Sequence, residues 1–82
     1  MEEIKIAFTK IQNKRDNIQK QFNKIENKIY VLIEERDIFQ VNTKKYNAIQ
    51  NKINVLLSDK DKKQEELYSF EDLLNKLEEI IN

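Results

Sequence analysis

Residues 29–41 read IYVLIEERDIFQV, and this apolar stretch decides how the chain folds. Eight of its thirteen residues are apolar or aromatic, whereas one face of a helix needs only about three apolar residues in seven. The heptad pattern around the stretch assigns Ile29, Leu32, Arg36 and Phe39 to a seam between two helices. The other apolar residues exceed what that seam needs, and they predict a second packing surface.

The chain as a whole has the composition of long helices. Its 82 residues include no Gly, no Pro and no Cys, and 37% of them are charged. A chain without Gly or Pro lacks the residues that usually form hairpin turns and sharp loops. Disordered chains have similar compositions, but the regular apolar spacing argues against disorder. We therefore expect one small all-α domain over residues 1–82.

Two heptad runs cover almost the whole sequence. In each run the spacing alternates strictly between three and four residues, which is the pattern of the a and d positions of a coiled coil. Eighteen of the twenty-two positions are apolar. The first run is Ile4, Phe8, Ile11, Arg15, Ile18, Phe22, Ile25, Ile29, Leu32, Arg36 and Phe39, and the second is Tyr46, Ile49, Ile53, Leu56, Lys60, Lys63, Leu67, Phe70, Leu74, Leu77 and Ile81.

The two runs are out of phase between residues 39 and 46. Either one long helix carries a stammer there, or the chain turns within VNTKK. Asn42 tolerates the left-handed conformation, and Thr43 can cap a following helix. The turn reading predicts helices over 3–40 and 44–81 with a turn at 41–44. A break near 58–61 would begin a third helix, but the second heptad run keeps its phase through that segment.

Charge favours an antiparallel hairpin over a straight parallel dimer. If the chain folds back, seam residues pair so that their numbers add up to about 85, as for Ile4 with Ile81 and Phe39 with Tyr46. The flanking positions then pair opposite charges, whereas a parallel dimer offers no attractive pair there. The predicted ion pairs are Lys28 with Asp59, Glu35 with Lys52, and Lys5 with Glu78.

A lone two-helix hairpin keeps little net stability, because the apolar area that it buries roughly balances an ordering cost of about 1.5 kcal/mol per residue. The surplus apolar residues near the turn therefore predict an interface. The simplest closure is a two-fold homodimer that forms a four-helix bundle, and we expect Arg36 to meet a carboxylate of the second subunit. The predicted interface residues are Tyr30, Val31, Ile33, Arg36, Ile38, Val41, Ala48, Val55 and Leu57.

Two lysines in the seam allow two interpretations. Lys60 and Lys63 fall opposite Ile25 and Phe22. Lysines at such positions usually lay their aliphatic stems on the core and keep their ammonium groups in water. The alternative is that Phe22 and Ile25 stay partly uncovered and form a secondary docking site for another helix.

The sequence offers little catalytic chemistry. It contains no His and no Cys, and without Gly it cannot form a glycine-rich phosphate loop. Adjacent carboxylates such as Glu65 and Glu66 diverge by about 100° on a helix, so we expect no catalytic site, cofactor or metal. No apolar run approaches the ~20 residues that span a bilayer, and we expect a cytoplasmic protein.

The function predicted from these features is non-enzymatic protein binding through helix packing, as an adaptor, assembly subunit or inhibitor. The expected partners are a second copy of the chain and an unidentified protein. The alternative is a nucleic-acid-associated regulator that uses a basic stripe on the first helix. The acidic C-terminal quarter lies alongside that stripe in a hairpin, which disfavours nucleic acid. The stripe consists of Lys10, Lys14, Lys20, Lys24 and Lys28.

Overall fold

The computed structural model describes residues 2–81 and confirms the helical hairpin. Helix α1 spans Glu2–Asp37 and helix α2 spans Lys44–Ile81, and the two pack against each other along their length. The hairpin measures 60 × 14 × 14 Å between Cα atoms. Two straight parallel cylinders would give a flat cross-section. The transverse extents are equal, so the two helices are not straight parallel cylinders.

The turn between the helices is longer than predicted. α1 ends at Asp37, three residues before the predicted end at 40, so the connection spans residues 38–43 instead of 41–44. The last turn of α1 tightens into two i→i−3 hydrogen bonds, from Ile38 N–H to the Glu35 carbonyl and from Phe39 N–H to the Arg36 carbonyl. These bonds satisfy carbonyls that the end of a helix leaves open.

Two predicted turn residues act as expected. Asn42 has φ 68°, the left-handed conformation, and stands third in a four-residue turn that Thr43 N–H closes onto the Gln40 carbonyl at 3.3 Å. The Thr43 hydroxyl accepts a hydrogen bond from Tyr46 N–H at 3.3 Å, which is the N-cap arrangement. Asn42 and Thr43 thus form the turn and the cap directly before α2, which begins at Lys44.

Helix α2 is continuous through residues 58–61, in line with the unbroken phase of its heptads. Every seam position is buried or half-buried. Contacts between the helices follow the mirror register within about three residues. The Arg36 guanidinium donates to Gln50 Oε1 at 2.7 Å, and Lys60 Nζ lies 3.5 Å from Glu26 Oε2.

The core is thin. Its buried residues are Ile29, Ile53, Leu67 and Leu74, and all four occupy a positions of the heptads. No d position within residues 2–81 is fully buried. The two flanks of the seam are therefore unequal: the side toward the a positions is closed, and the side toward the d positions is open.

Candidate protein-binding surface

The predicted interface residues lie on two opposite faces of the hairpin. Because successive helical residues turn by about 100°, the g and c positions of both helices share the face next to the d side of the seam. The e and b positions share the face next to the a side. We call the first the open face and the second the closed face.

The open face carries a continuous apolar surface near the turn. Val31 and Val55 are 54% and 62% exposed, and Ile38 in the turn is 79% exposed. Ala48 is exposed at the equivalent position of α2. Val31, Ala48 and Val55, all predicted as interface residues, share this face through their c positions, and the predicted interface residue Ile38 lies directly after the end of α1.

Two apolar grooves cross the open face between the helices. Leu32 and Leu56 line both grooves, Val31 borders one, and Val55 borders the other. Lys28 and Lys52 stand beside the grooves, one on each helix. Leu32 and Leu56 were not predicted as interface residues because the heptad count assigned them wholly to the seam. Their d positions, next to surplus apolar c positions, are the signal that could have identified them.

The closed face has a different character. Half-buried e residues cover the a positions there, namely Glu26, Ile33, Gln50 and Gln64. Tyr30 is 57% exposed and Leu57 is 41% exposed on the same face. Val41 is 68% exposed at the tip of the turn. Tyr30, Ile33 and Leu57 thus belong to a second, smaller apolar surface that is separate from the open face.

Arg36 is satisfied within its own chain. Its Nε and Nη2 donate to Asp37 Oδ1 at 3.1 and 3.0 Å, its Nη1 reaches Gln50, and its guanidinium carbon lies 5.3 Å from the centroid of the Tyr46 ring. Within its own chain Arg36 thus already meets a carboxylate on the same helix, and its contact with a carboxylate of a second subunit stays a prediction. A carboxylate one residue away and an amide across the seam occupy its donors first.

The two seam lysines are half-buried, and the ammonium group of each lies near a carboxylate. Lys60 Nζ lies 5.5 Å from the centroid of the Phe22 ring and pairs with Glu26. Lys63 Nζ lies 3.8 Å from Glu66 Oε2 on the same helix. Phe22 and Ile25 are half-buried. Lys60 covers part of the Phe22 ring, and docking of another helix at Phe22 and Ile25 stays a prediction.

None of the three predicted flanking ion pairs forms within 4.0 Å in the described part of the chain. Lys60–Glu26 is the ion pair that joins α1 and α2 across residues 2–81. Lys28, Glu35 and Lys52 are exposed and Asp59 is half-buried. Exposed ion pairs gain little free energy in water, so the hairpin loses little when these pairs do not form.

The five lysines of the basic stripe are exposed on α1. None of them lies within 4.0 Å of a carboxylate among residues 2–81. Four of the five occupy c or g positions and so belong to the open face: Lys10, Lys14, Lys24 and Lys28.

Comparison of the chain with protein-family models, with curated proteins and with solved structures found no match. Neither α1 nor α2 contains a segment long and apolar enough to cross a membrane, as judged over residues 2–81. Within the same range, no three acidic side chains cluster in a way that could hold a metal ion.

Proposed function

We propose that this chain is a non-enzymatic protein-binding module that self-associates and acts through helix packing. The observation that carries the proposal is the pairing of a thin core with an uncovered apolar surface. Four residues are buried within residues 2–81, while Val31, Ile38 and Val55 are each more than half exposed. A contiguous exposed apolar surface of this kind is typical of a protein interface.

The simplest way to cover the open face is to pack two hairpins into a four-helix bundle, which makes the homodimer our proposed form. A second, unidentified protein would bind the assembled module, and an adaptor, an assembly subunit or an inhibitor each fits this mode of helix packing. We further propose that the chain works in the cytoplasm, where fractionation of its native cells should find it.

Sedimentation equilibrium of the purified chain tests the proposal. The wild-type chain should form dimers at micromolar concentration, and an Ile38→Asp or Val31→Asp variant should be monomeric because each places a charge on apolar surface that the dimer would bury. Asn51→Asp is the matched control, since Asn51 is exposed on the outer side of α2. A wild-type chain that stays monomeric would refute self-association.

A nucleic-acid-associated regulator is the second candidate function. The exposed lysines of the basic stripe, which lack carboxylate partners within residues 2–81, favour it. Such binding would depend steeply on salt because lysines release counterions from phosphates. Retention on a heparin column that collapses between about 0.05 and 0.2 M salt would support this candidate. Dimerisation that persists at those salt concentrations supports the first.

A further inference from the structure

We infer that the open face binds the open face of a second copy, turn beside turn, with α1 of each copy lying on α2 of the other. This inference rests on the proposed self-association and specifies its geometry. The two-fold axis would run parallel to the long axis of the hairpin. The arrangement follows from where the open face carries its apolar and charged residues.

The apolar residues of the open face match under this operation. A residue of α1 meets the residue of α2 that lies at the same level of the hairpin. Val31 then meets Val55 of the second copy, and Ile38 meets Ala48. At the far end, Ala7 meets Ile80, which is 57% exposed. The d side of the seam, which one hairpin leaves open, becomes enclosed between the two copies.

The charges at four g positions of the open face match as well. Lys28 and Asp59 lie at one level, and Glu35 and Lys52 lie at the next, and neither pair forms within the chain. The two-fold operation places Lys28 over Asp59 of the second copy and Glu35 over Lys52. Because the two-fold axis relates the two copies, each complementary pair occurs twice, and the interface contains four such pairs. At the c positions the operation sets like charges at the same levels, Lys24 over Lys62 of the second copy and Lys10 over Lys76, and these long side chains would have to turn outward into water.

The opposite orientation, with the turn of one copy over the termini of the other, fits less well. It lays α1 on α1, which places Lys14 over Lys28 of the second copy and Val31 beside Lys10. Both contacts are unfavourable, since like charges repel and a buried valine would meet an ammonium group. A stable interface needs about 800 Å² from each partner, out of the 6377 Å² that the chain exposes. A four-helix contact along the full hairpin provides an area of that order.

A mixing experiment distinguishes pairing between copies from pairing within one copy. The acidic variant carries Lys28→Glu and Lys52→Glu, and the basic variant carries Glu35→Lys and Asp59→Lys. Each variant alone sets like charges together at all four pairs, both within the chain and between copies. In a 1:1 mixture only pairing between copies becomes attractive, because every acidic residue of one variant then meets a lysine of the other.

Native mass spectrometry and sedimentation equilibrium give the readout, with circular dichroism to show that each variant is helical. One exposed ion pair changes an association constant by about two- to five-fold. Each variant alone should therefore dimerise at least about tenfold more weakly than wild type. The mixture should form the heterodimer in preference to either homodimer.

Two matched control variants separate this effect from general attraction between acidic and basic proteins. Lys20→Glu with Lys44→Glu, and Glu34→Lys with Glu65→Lys, make the same changes in net charge at exposed positions on the outer sides of the helices. They should show no comparable preference for the heterodimer. Equal preference in the control mixture would overturn the inference, as would wild-type-like dimers of each open-face variant. With either outcome, a wild-type chain that dimerises would still support the proposed self-association. A monomeric wild-type chain would refute both the self-association and this geometry.

Discussion

Truncation of Ile53 to alanine should destabilise the hairpin more than any other single aliphatic truncation. Ile53 is only 2% exposed and occupies an a position near the middle of α2. Removal of a buried isoleucine side chain costs about 2–5 kcal/mol, and the cost falls where neighbours can move into the space. Two helices close more easily around a cavity than a large core does, so we expect about 2–3 kcal/mol.

The expected loss in the free energy of unfolding is a large fraction of the total. A domain of this length has a free energy of unfolding of roughly 5–10 kcal/mol. Urea denaturation followed by circular dichroism measures the change, and with a slope near ~1 kcal/mol per molar urea the midpoint should fall by ~2 M or more. The comparison requires one fixed protein concentration, because association adds to apparent stability.

Asn51→Ala is the matched control for Ile53→Ala. Asn51 lies two residues earlier on the same helix but is exposed, and alanine favours the helix slightly more than asparagine does. Its midpoint should stay the same or rise. If Ile53→Ala lowered the midpoint no more than Asn51→Ala, Ile53 would not be part of the core, and the register of the two helices would be wrong.

Three further predictions concern the turn and the ends. Thr43→Ala should lower the free energy of unfolding by about 1 kcal/mol through loss of the cap to Tyr46 N–H. Thr43→Ser keeps the hydroxyl and should retain most of that stabilisation. Urea unfolding curves of the two variants measure the difference. Asn42→Gly should be neutral or slightly stabilising because glycine adopts positive φ without strain. Asn42→Val should lower the free energy of unfolding by at least ~1 kcal/mol. Equal urea midpoints for the two variants would contradict the left-handed conformation of Asn42. Cysteines introduced by Ile4→Cys and Ile81→Cys should form an intrachain disulfide at low protein concentration, and purely interchain products on a non-reducing gel would favour a straight or swapped helix.

The sequence was sufficient to predict the hairpin because two independent patterns agree. The heptads place every seam residue, and the phase break between Phe39 and Tyr46 marks the turn. Asn42 and Thr43 have the local chemistry that the turn then uses. The end of α1 was less predictable. Nothing in the apolar pattern before residue 40 shows that the helix tightens at Ile38, because that depends on how the chain must approach α2.

The candidate surface was only partly predictable. A count of surplus apolar residues identified Val31 and Val55, but it could not separate them from Tyr30 and Leu57 on the other face. That separation depends on which flank of the seam each helical position joins. The burial of Ile29 and Ile53 in preference to Leu32 and Leu56 is a packing result, since all four are aliphatic residues of the same heptad seam.

The predicted ion pairs that do not form indicate that charge is not what orients the two helices. We had used Lys28 with Asp59, and Glu35 with Lys52, to choose the antiparallel hairpin, yet the hairpin forms without closing them. Its orientation instead follows from the turn at Asn42, which is short enough to force the helices side by side, and from the apolar seam. If charge were needed for folding, the chain would have an ion pair at each level of the seam, whereas Lys60–Glu26 alone joins the two helices across residues 2–81. The four flanking charges are therefore available to a later step. On the open face we propose that this step is association, in which the same residues would fix how one hairpin lies on another.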